Sequence, residues 1–182
     1  VDDLLKAHAT MEAGLIDDAG RFRRGGAGVA AGNQIIHYAP DAERIPYLVD
    51  DLFEWLRTTE EHPLIASCVF HYEFEFIHPF ADGNGRTGRL WQTLILSRWR
   101  PIFKNLPIEN IVYKYQQAYY RAIAVSGGKE GCTPFIEFIL GVVAETLTAQ
   151  EATPKTTQER IVDEIRKNPK ISRRALAEVV GI

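Results

Sequence analysis

The sequence predicts an all-α fold carrying one small β-hairpin, and three observations support that class. Apolar side chains recur three and four apart over most of the chain, as in Ile136, Ile139, Leu140, Val143 and Leu147, which is the period of helices that bury one face. Prolines open two apolar runs, at Pro46 and Pro63, where the first helical turn has no use for the missing N–H. One β-prone run, Gln34 to Tyr38, is short and follows the dipeptide Gly32-Asn33, a hairpin signal.

The elements follow in order. A first helix carries Leu4, Leu5, His8, Met11 and Leu15 and is expected to end near Gly14, because Asp17, Asp18 and Gly20 come next. The glycine-rich stretch from Arg21 to Pro46 is expected to be a small flap. The helix opening at Pro46 carries Leu48, Leu52, Phe53 and Leu56, and the one opening at Pro63 carries Ile65, Val69, Phe70 and Phe76. The segment HPFADGNGRTGR, His78 to Arg89, then leads into a helix expected from Arg86, whose pairs Leu90/Leu94 and Trp91/Ile95 lie four apart. Glu109–Val125 and Thr133–Leu147 are predicted as two further helices, broken by Ser126, Gly127 and Gly128. A polar, proline-containing stretch places a domain boundary near residue 152, dividing the chain into 1–151 and 152–182. Beyond it Thr156-Thr157-Gln158-Glu159 forms a capping box before Ile161 and Ile165. Ser172 then caps a helix that ends at Gly181, the opening of a helix-turn-helix unit.

Composition excludes several classes. With 182 residues, 46% of them hydrophobic and 25% charged, the chain suits one globular domain with a small appendage. A net charge of −3 offers no global basic field for nucleic acid, and the basic group Lys167, Lys170, Arg173 and Arg174 is expected not to bind DNA in a chain that stops at Ile182. Cys68 and Cys132 form no CxxC pattern, which points to a reducing cytoplasm. No apolar run approaches the roughly 18 residues needed to cross a bilayer, and the N-terminus has no signal-peptide pattern, so a cytoplasmic protein without membrane partners is expected. The chain begins without Met, in what reads as a helix, and a longer parent is expected.

The most informative stretch is His78 to Arg89. A phosphoryl or nucleotidyl transfer needs a base for the attacking hydroxyl, a carboxylate for a divalent ion, and N–H or cationic groups for phosphate oxygens. His78 supplies a base near neutral pH. Asp82 offers hard oxygen to Mg²⁺. Gly83, Asn84 and Gly85 allow a backbone cradle at a helix start, and the Asn84 amide is expected to donate to a phosphate oxygen. Arg86 and Arg89, three apart, are expected to grip separate phosphates.

These residues match the signature HxFx(D/E)GNGRxxR, and the chain resembles the Fic family over roughly residues 4 to 149, through FHYEFEFIHPF, the flap, QQAYYRAI and TPFIEFIL. The resemblance implies a Fic-type helical bundle with a β-hairpin flap, followed by a partial winged helix-turn-helix. It further implies a protein adenylyltransferase that moves AMP from Mg²⁺-ATP to a Ser, Thr or Tyr hydroxyl of a target protein, with self-modification and a homodimer as further expectations. His78 would be the base, Asp82 the metal ligand, Gly83, Asn84 and Gly85 the phosphate cradle, Arg86 the β-phosphate ligand and Arg89 the γ-phosphate ligand. Phe80 would anchor the loop, Tyr120 and Tyr119 would line the adenine pocket, and Gln34, Ile35, Ile36 and His37 would pin the target by strand addition. Related alternatives are a de-AMPylase, a kinase-like phosphate transferase and a nucleotide-sensing transcription regulator. Fic relatives are often restrained by a helix of pattern (S/T)xxxE(G/N), whose Glu pairs with the second arginine. Here only Ser126 to Gly131 fits the string, and its two internal glycines make a poor helix. The C-terminal unit resembles the group whose inhibitory helix precedes the core.

Overall fold

The structure is a computed structural model that describes residues 1–31, 34–106, 108–127, 131–152 and 157–181. It divides into two compact units, Val1–Thr146 and Leu147–Ile182.

The larger unit is built around one central helix. Helix α1 spans Asp2–Met11, and an antiparallel hairpin follows, β1 (Gly28–Ala31) and β2 (Gln34–Tyr38). The register pairs Gly28 with Tyr38 and Val29 with His37, then shifts between Val29 and Ala30, a bulge that bends the ribbon. The hairpin tip, Gly32-Asn33, lies outside the described residues, and so does any account of the Gln34 side chain. Helices α2 (Ile45–Thr58), α3 (Pro63–Ile77) and α4 (Asn84–Trp99) come next. Proline stands in the first turn of α2 and α3, where it presets φ for the helix.

Helix α3 is buried on most of its circumference, from Ala66, Cys68 and Phe70 to Tyr72, Phe74 and Ile77. Phe70 and Phe74 are fully enclosed with Leu4, Ile45, Val49 and Phe80, and Trp91 of α4 closes the cluster. Each such side chain contributes roughly 1.5–3 kcal/mol of burial, and the helix they fix is the one that ends at His78. Phe76 is the exception on this helix, since it is 39% exposed and packs on the His37 ring of β2 at 4.3 Å.

Besides a first helix that ends at Met11 rather than near Gly14 and a last core helix that runs on past Leu147 to Ala152, two boundaries beside the motif and beyond it differ from expectation. Helix α4 begins at Asn84 rather than Arg86, because Gly83, at φ 78°, caps it in the left-handed region and so turns the chain into the helix two residues sooner. The helix expected over Glu109–Val125 is two, α5 (Ile108–Lys114) and α6 (Gln116–Val125), parted at Tyr115 with φ −107° and ψ 32°. No glycine or proline marks that break. Lys114 Nζ and the Tyr115 hydroxyl both reach Glu145 Oε1, at 2.9 and 3.2 Å, so a long-range acceptor holds the turn. Helix α7 runs from Thr133 to Ala152.

In the smaller unit, α8 (Thr157–Lys167) and α9 (Arg173–Val180) pack together. Ser172 caps α9 by accepting from Ala175 N, and Gly181 ends it at φ 77°. Thr156, the first residue of the capping box, lies outside the described residues. No helix among the described residues is long and apolar enough to cross a membrane.

Candidate active site

The end of α3 carries the first functional group. His78 is the C-cap of α3 in the left-handed conformation, φ 49° and ψ 60°, and is the one described non-glycine residue at positive φ. Such a conformation persists where the surroundings over-determine it, and Arg23 supplies the restraint. Its Nε donates to His78 O at 2.7 Å, Nη2 to Pro40 O at 2.6 Å and Nη1 to Gly25 O at 2.6 Å, while its own N–H reaches Pro79 O. Arg23 is buried, and the strand-side loop is thereby tied to the end of the helix.

The loop between α3 and α4 stands on a floor of packed groups, most of them hydrogen-bonded. Phe80 is fully buried, and its backbone is stapled by one side chain: Asn84 Oδ1 accepts from Phe80 N at 2.8 Å and Asn84 Nδ2 donates to Phe80 O at 2.9 Å. Asn84 was expected to hold a phosphate. In the structure its carboxamide closes the loop on itself, because a buried backbone N–H and C=O four residues away would otherwise lack partners. His8 of α1 stacks on Phe80 at 3.6 Å. Gly20 N donates to His8 Nδ1, so Nε2 carries the proton and donates to Asp82 O at 2.9 Å. Four residues on, at the C-cap of α1, buried Glu12 places Oε2 2.9 Å from Arg86 Nη2, an ion pair rather than a hydrogen bond. A Cβ on Gly83 would lie 2.4 Å from Glu12 Oε1, so only glycine fits there.

Above this floor lies a cavity of about 320 Å³. His78, Asp82, Gly83, Asn84, Gly85, Arg86, Arg89, Tyr119 and Tyr120 all line it, with Gly28, Val29 and Ala30 from β1. Ile35, Ile36 and His37, singled out as the target-positioning strand, are not among the residues that line this cavity, which β1 borders instead. His37 Nε2 instead bonds to Phe76 O at 2.9 Å, holding the flap to α3. The first turn of α4 points its end at the cavity, and the N–H groups there have no intrahelical acceptor. Asp82 is 69% exposed on its side chain, with Oδ1 accepting from Gly83 N. Among the described residues no group of three His, Cys, Asp or Glu gathers to hold a metal. One hard carboxylate suits a divalent ion that arrives with phosphates and keeps most of its ligands from them and from water.

The two arginines differ in setting. Arg86 is 40% exposed and held by Glu12. Arg89 is 15% exposed, and Glu109 of α5 grips its Nε and Nη2 edge bidentately, with Nη2 to Oε1 at 2.7 Å. This acidic partner of the second arginine lies downstream of the motif and not in the SGGKEG string, whose Gly128, Lys129 and Glu130 fall outside the described residues. Tyr119 is buried with its hydroxyl turned inward to His71 and Glu75, so Tyr120 is the more accessible of the pair.

Burial sets the electrostatics. The His78 imidazole is pushed down to about 4 by desolvation, with Arg23 and His37 adding to the fall, so it is neutral and able to accept a proton at pH 7. Glu75 is pushed up to about 7 by burial, against the opposing pull of Arg89 and the Tyr119 hydroxyl. His71, fully buried between Gln92 and Tyr119, falls to about 3. His8, Glu12, Arg23, Glu75 and Glu109 were missed from sequence. The spacing of His8 and Glu12, four apart at the end of one helix, was the only local sign of a paired role.

A helix, a glycine loop whose following helix N-terminus faces a cavity, and a half-buried imidazole lining that cavity with two arginines define a helical domain with a candidate anion site. The model of the Fic/DOC family matches residues 1–96, and the chain belongs to that family. It is 29% identical to the protein adenylyltransferase Fic of Drosophila mojavensis over 152 residues, which cover 80% of this chain and 28% of that relative. The protein adenylyltransferase Fic of Aedes aegypti is likewise 29% identical over 150 residues. The chain therefore spans less than a third of the curated relatives it matches. The crystal structure of a Fic family protein from Desulfovibrio desulfuricans is 46% identical with a TM-score of 0.75, covering all of this chain and 56% of that one. A Fic domain containing signalling protein from Bacteroides thetaiotaomicron, 18% identical with a TM-score of 0.55, shares the fold.

Proposed function

We propose that this chain transfers AMP from ATP to a hydroxyl side chain of a target protein. The observation that carries the reading is a neutral imidazole, His78, on the same cavity as the N-terminal turn of α4, Arg86 and Arg89. The target oxygen attacks the α-phosphorus while its proton passes to His78 Nε2. The new O–P bond forms as the bond from the α-phosphorus to the β-phosphate oxygen breaks, and pyrophosphate leaves. The N–H of Gly85, that of Gly83 once Asp82 Oδ1 turns from it to the metal, and the α4 dipole favour the phosphates, Arg86 takes the β-phosphate and Arg89 the γ-phosphate. Asp82 would hold a Mg²⁺ brought in with the nucleotide, which supplies charge neutralisation. Tyr120 borders the adenine, and the hairpin offers a strand edge to an extended target segment. Residues 152–182 form the start of a helix-turn-helix module outside this chemistry.

The test is labelling with α-³²P-ATP. Label on protein, lost by a factor of about 10² or more in His78→Ala, supports adenylyl transfer. Label from γ-³²P-ATP alone would replace it with phosphoryl transfer, and release of AMP from a modified target would replace it with de-AMPylation.

A further inference from the structure

Glu75 is a buried carboxylate that the transfer scheme above does not use. It lies on α3 one turn before His78, is 3% exposed, and borders the cavity. Its Oε2 is 3.7 Å from His78 Nδ1, and its backbone oxygen is 3.3 Å from the same nitrogen. Its Oε1 accepts from the Tyr119 hydroxyl at 3.2 Å and lies 3.9 Å from His71 Nε2. A Cβ added at Gly85 would stand 2.9 Å from Arg89 Nη1 and 3.4 Å from Glu75 Oε1, so carboxylate and guanidinium both border the Gly85 backbone without pairing. Burying such a group is costly unless it is partnered, and an apolar side chain would serve a purely structural position on this helix as well.

We propose that Glu75 is a positioning residue: its carboxylate holds the His78 imidazole with Nδ1 turned inward and Nε2 open to the cavity, and Tyr119 holds the carboxylate. Both neighbours of Nδ1 are acceptors, so Nδ1 carries the proton and Nε2 presents its lone pair to the incoming hydroxyl. When that proton arrives, the imidazolium forms beside a carboxylate rather than in an apolar wall, which favours the charged form. His71 and His78 on α3, Arg89 on α4 and Tyr119 on α6 face Glu75; Arg23, His37 on β2 and Asp82 face His78. Burial raises Glu75 to about 7, so its carboxylate fills in across neutral pH and turnover should rise through that range.

Because this role rests on His78 acting as the base of adenylyl transfer, the test has one arm that needs turnover and one that does not. Glu75→Leu, close in volume, removes charge and acceptor. Its kcat for labelling from α-³²P-ATP is expected to fall roughly tenfold or more, with KM for ATP within about twofold of wild type. Glu75→Gln, which keeps an acceptor oxygen, is expected to recover part of kcat and to lose the limb that rises near pH 7. In ¹⁵N-histidine spectra of the intact chain at pH 8, wild-type His78 is expected to carry its proton on Nδ1, and Glu75→Leu to move population to Nε2. Unchanged ring nitrogens in Glu75→Leu overturn the proposal, whether or not kcat falls, since Glu75 would then act elsewhere. A wild-type chain without transfer whose ring nitrogens nonetheless respond keeps the positioning role and removes the transfer reading. If Glu75→Leu does not fold, Tyr119→Phe carries the test, with the same shift of the His78 proton expected in smaller degree and an unchanged ring overturning the proposal.

Discussion

The floor of the loop from His78 to Gly85 and the face it turns to the cavity are built from opposite chemistry. On the floor, Phe80 is buried under a stacked His8, and its N–H and C=O both end on Asn84. On the face, Asp82 and Arg86 are well exposed, and the first-turn N–H groups of α4 have no intrahelical acceptor. A site can leave donors open to a ligand where the groups beneath them are packed and held by hydrogen bonds or, like Glu12, by an ion pair, since a loose support would turn toward its own groups instead. The difference assigns distinct consequences to damage in each region: floor changes should cost stability, and face changes should cost binding or turnover.

The largest effect expected on that division is Phe80→Ala. Removing a fully buried aromatic should cost about 3–5 kcal/mol, read as a lower Tm, and ATP binding should weaken with it because the loop loses its anchor. Acid should come next. His71 and His78 have pKa values lowered by burial, to about 3 and about 4, so between pH 6.5 and 4.5 the unfolded chain binds their two protons and the native state does not. Glu75, raised to about 7, acts in the other sense over the same window, holding one proton in the native state that the unfolded chain releases. The net is close to zero at pH 6.5 and approaches one extra proton on unfolding below pH 5.5, so stability should fall by about 1 kcal/mol per pH unit, more steeply in the lower half of the window. Thermal melts at pH 6.5, 5.5 and 4.5 check the slope, and a flat profile would show that the buried imidazoles are not held neutral. Third is Gly83→Ala, where a Cβ meets the Glu12 carboxylate at a φ of 78°. A loss of about 1–3 kcal/mol is expected, together with weaker nucleotide binding by calorimetry, because Gly83 belongs to floor and face at once. Smallest in stability is Glu109→Ala on the face. The pair with Arg89 is half exposed on the acidic side, so its loss should cost less than about 1 kcal/mol. The freed guanidinium should then lower KM for ATP several-fold; an unchanged KM would mean that Glu109 does not compete with phosphate.

Local residue types made the motif legible. Two glycines around an asparagine, a histidine five residues before, and arginines at 86 and 89 name an anion loop entering a helix, and the structure lines one cavity with them. The hairpin was legible for the same reason, from a turn dipeptide beside a β-prone run. The break at Tyr115 was not, because it depends on Glu145 of another helix. The support that Asn84 gives the loop was not legible for a related reason: an amide beside a phosphate loop and an amide closing that loop have the same spacing, and only the position of Phe80 N and O reveals the second.

By itself, then, the sequence determined the helical class, the order of elements and the residues of the anion loop, since these follow from periodicity, capping and turn chemistry within a few residues. Tertiary structure alone decided what supports and tunes them. His8 and Glu12 lie some seventy residues before the loop they hold, Arg23 ties down His78 from a distant segment, Glu109 reaches Arg89 from another helix, and Tyr119 reaches Glu75 across the core. Hydrogen bonds and desolvation act through space over a few ångströms, and no local pattern encodes which distant groups folding will bring within that range.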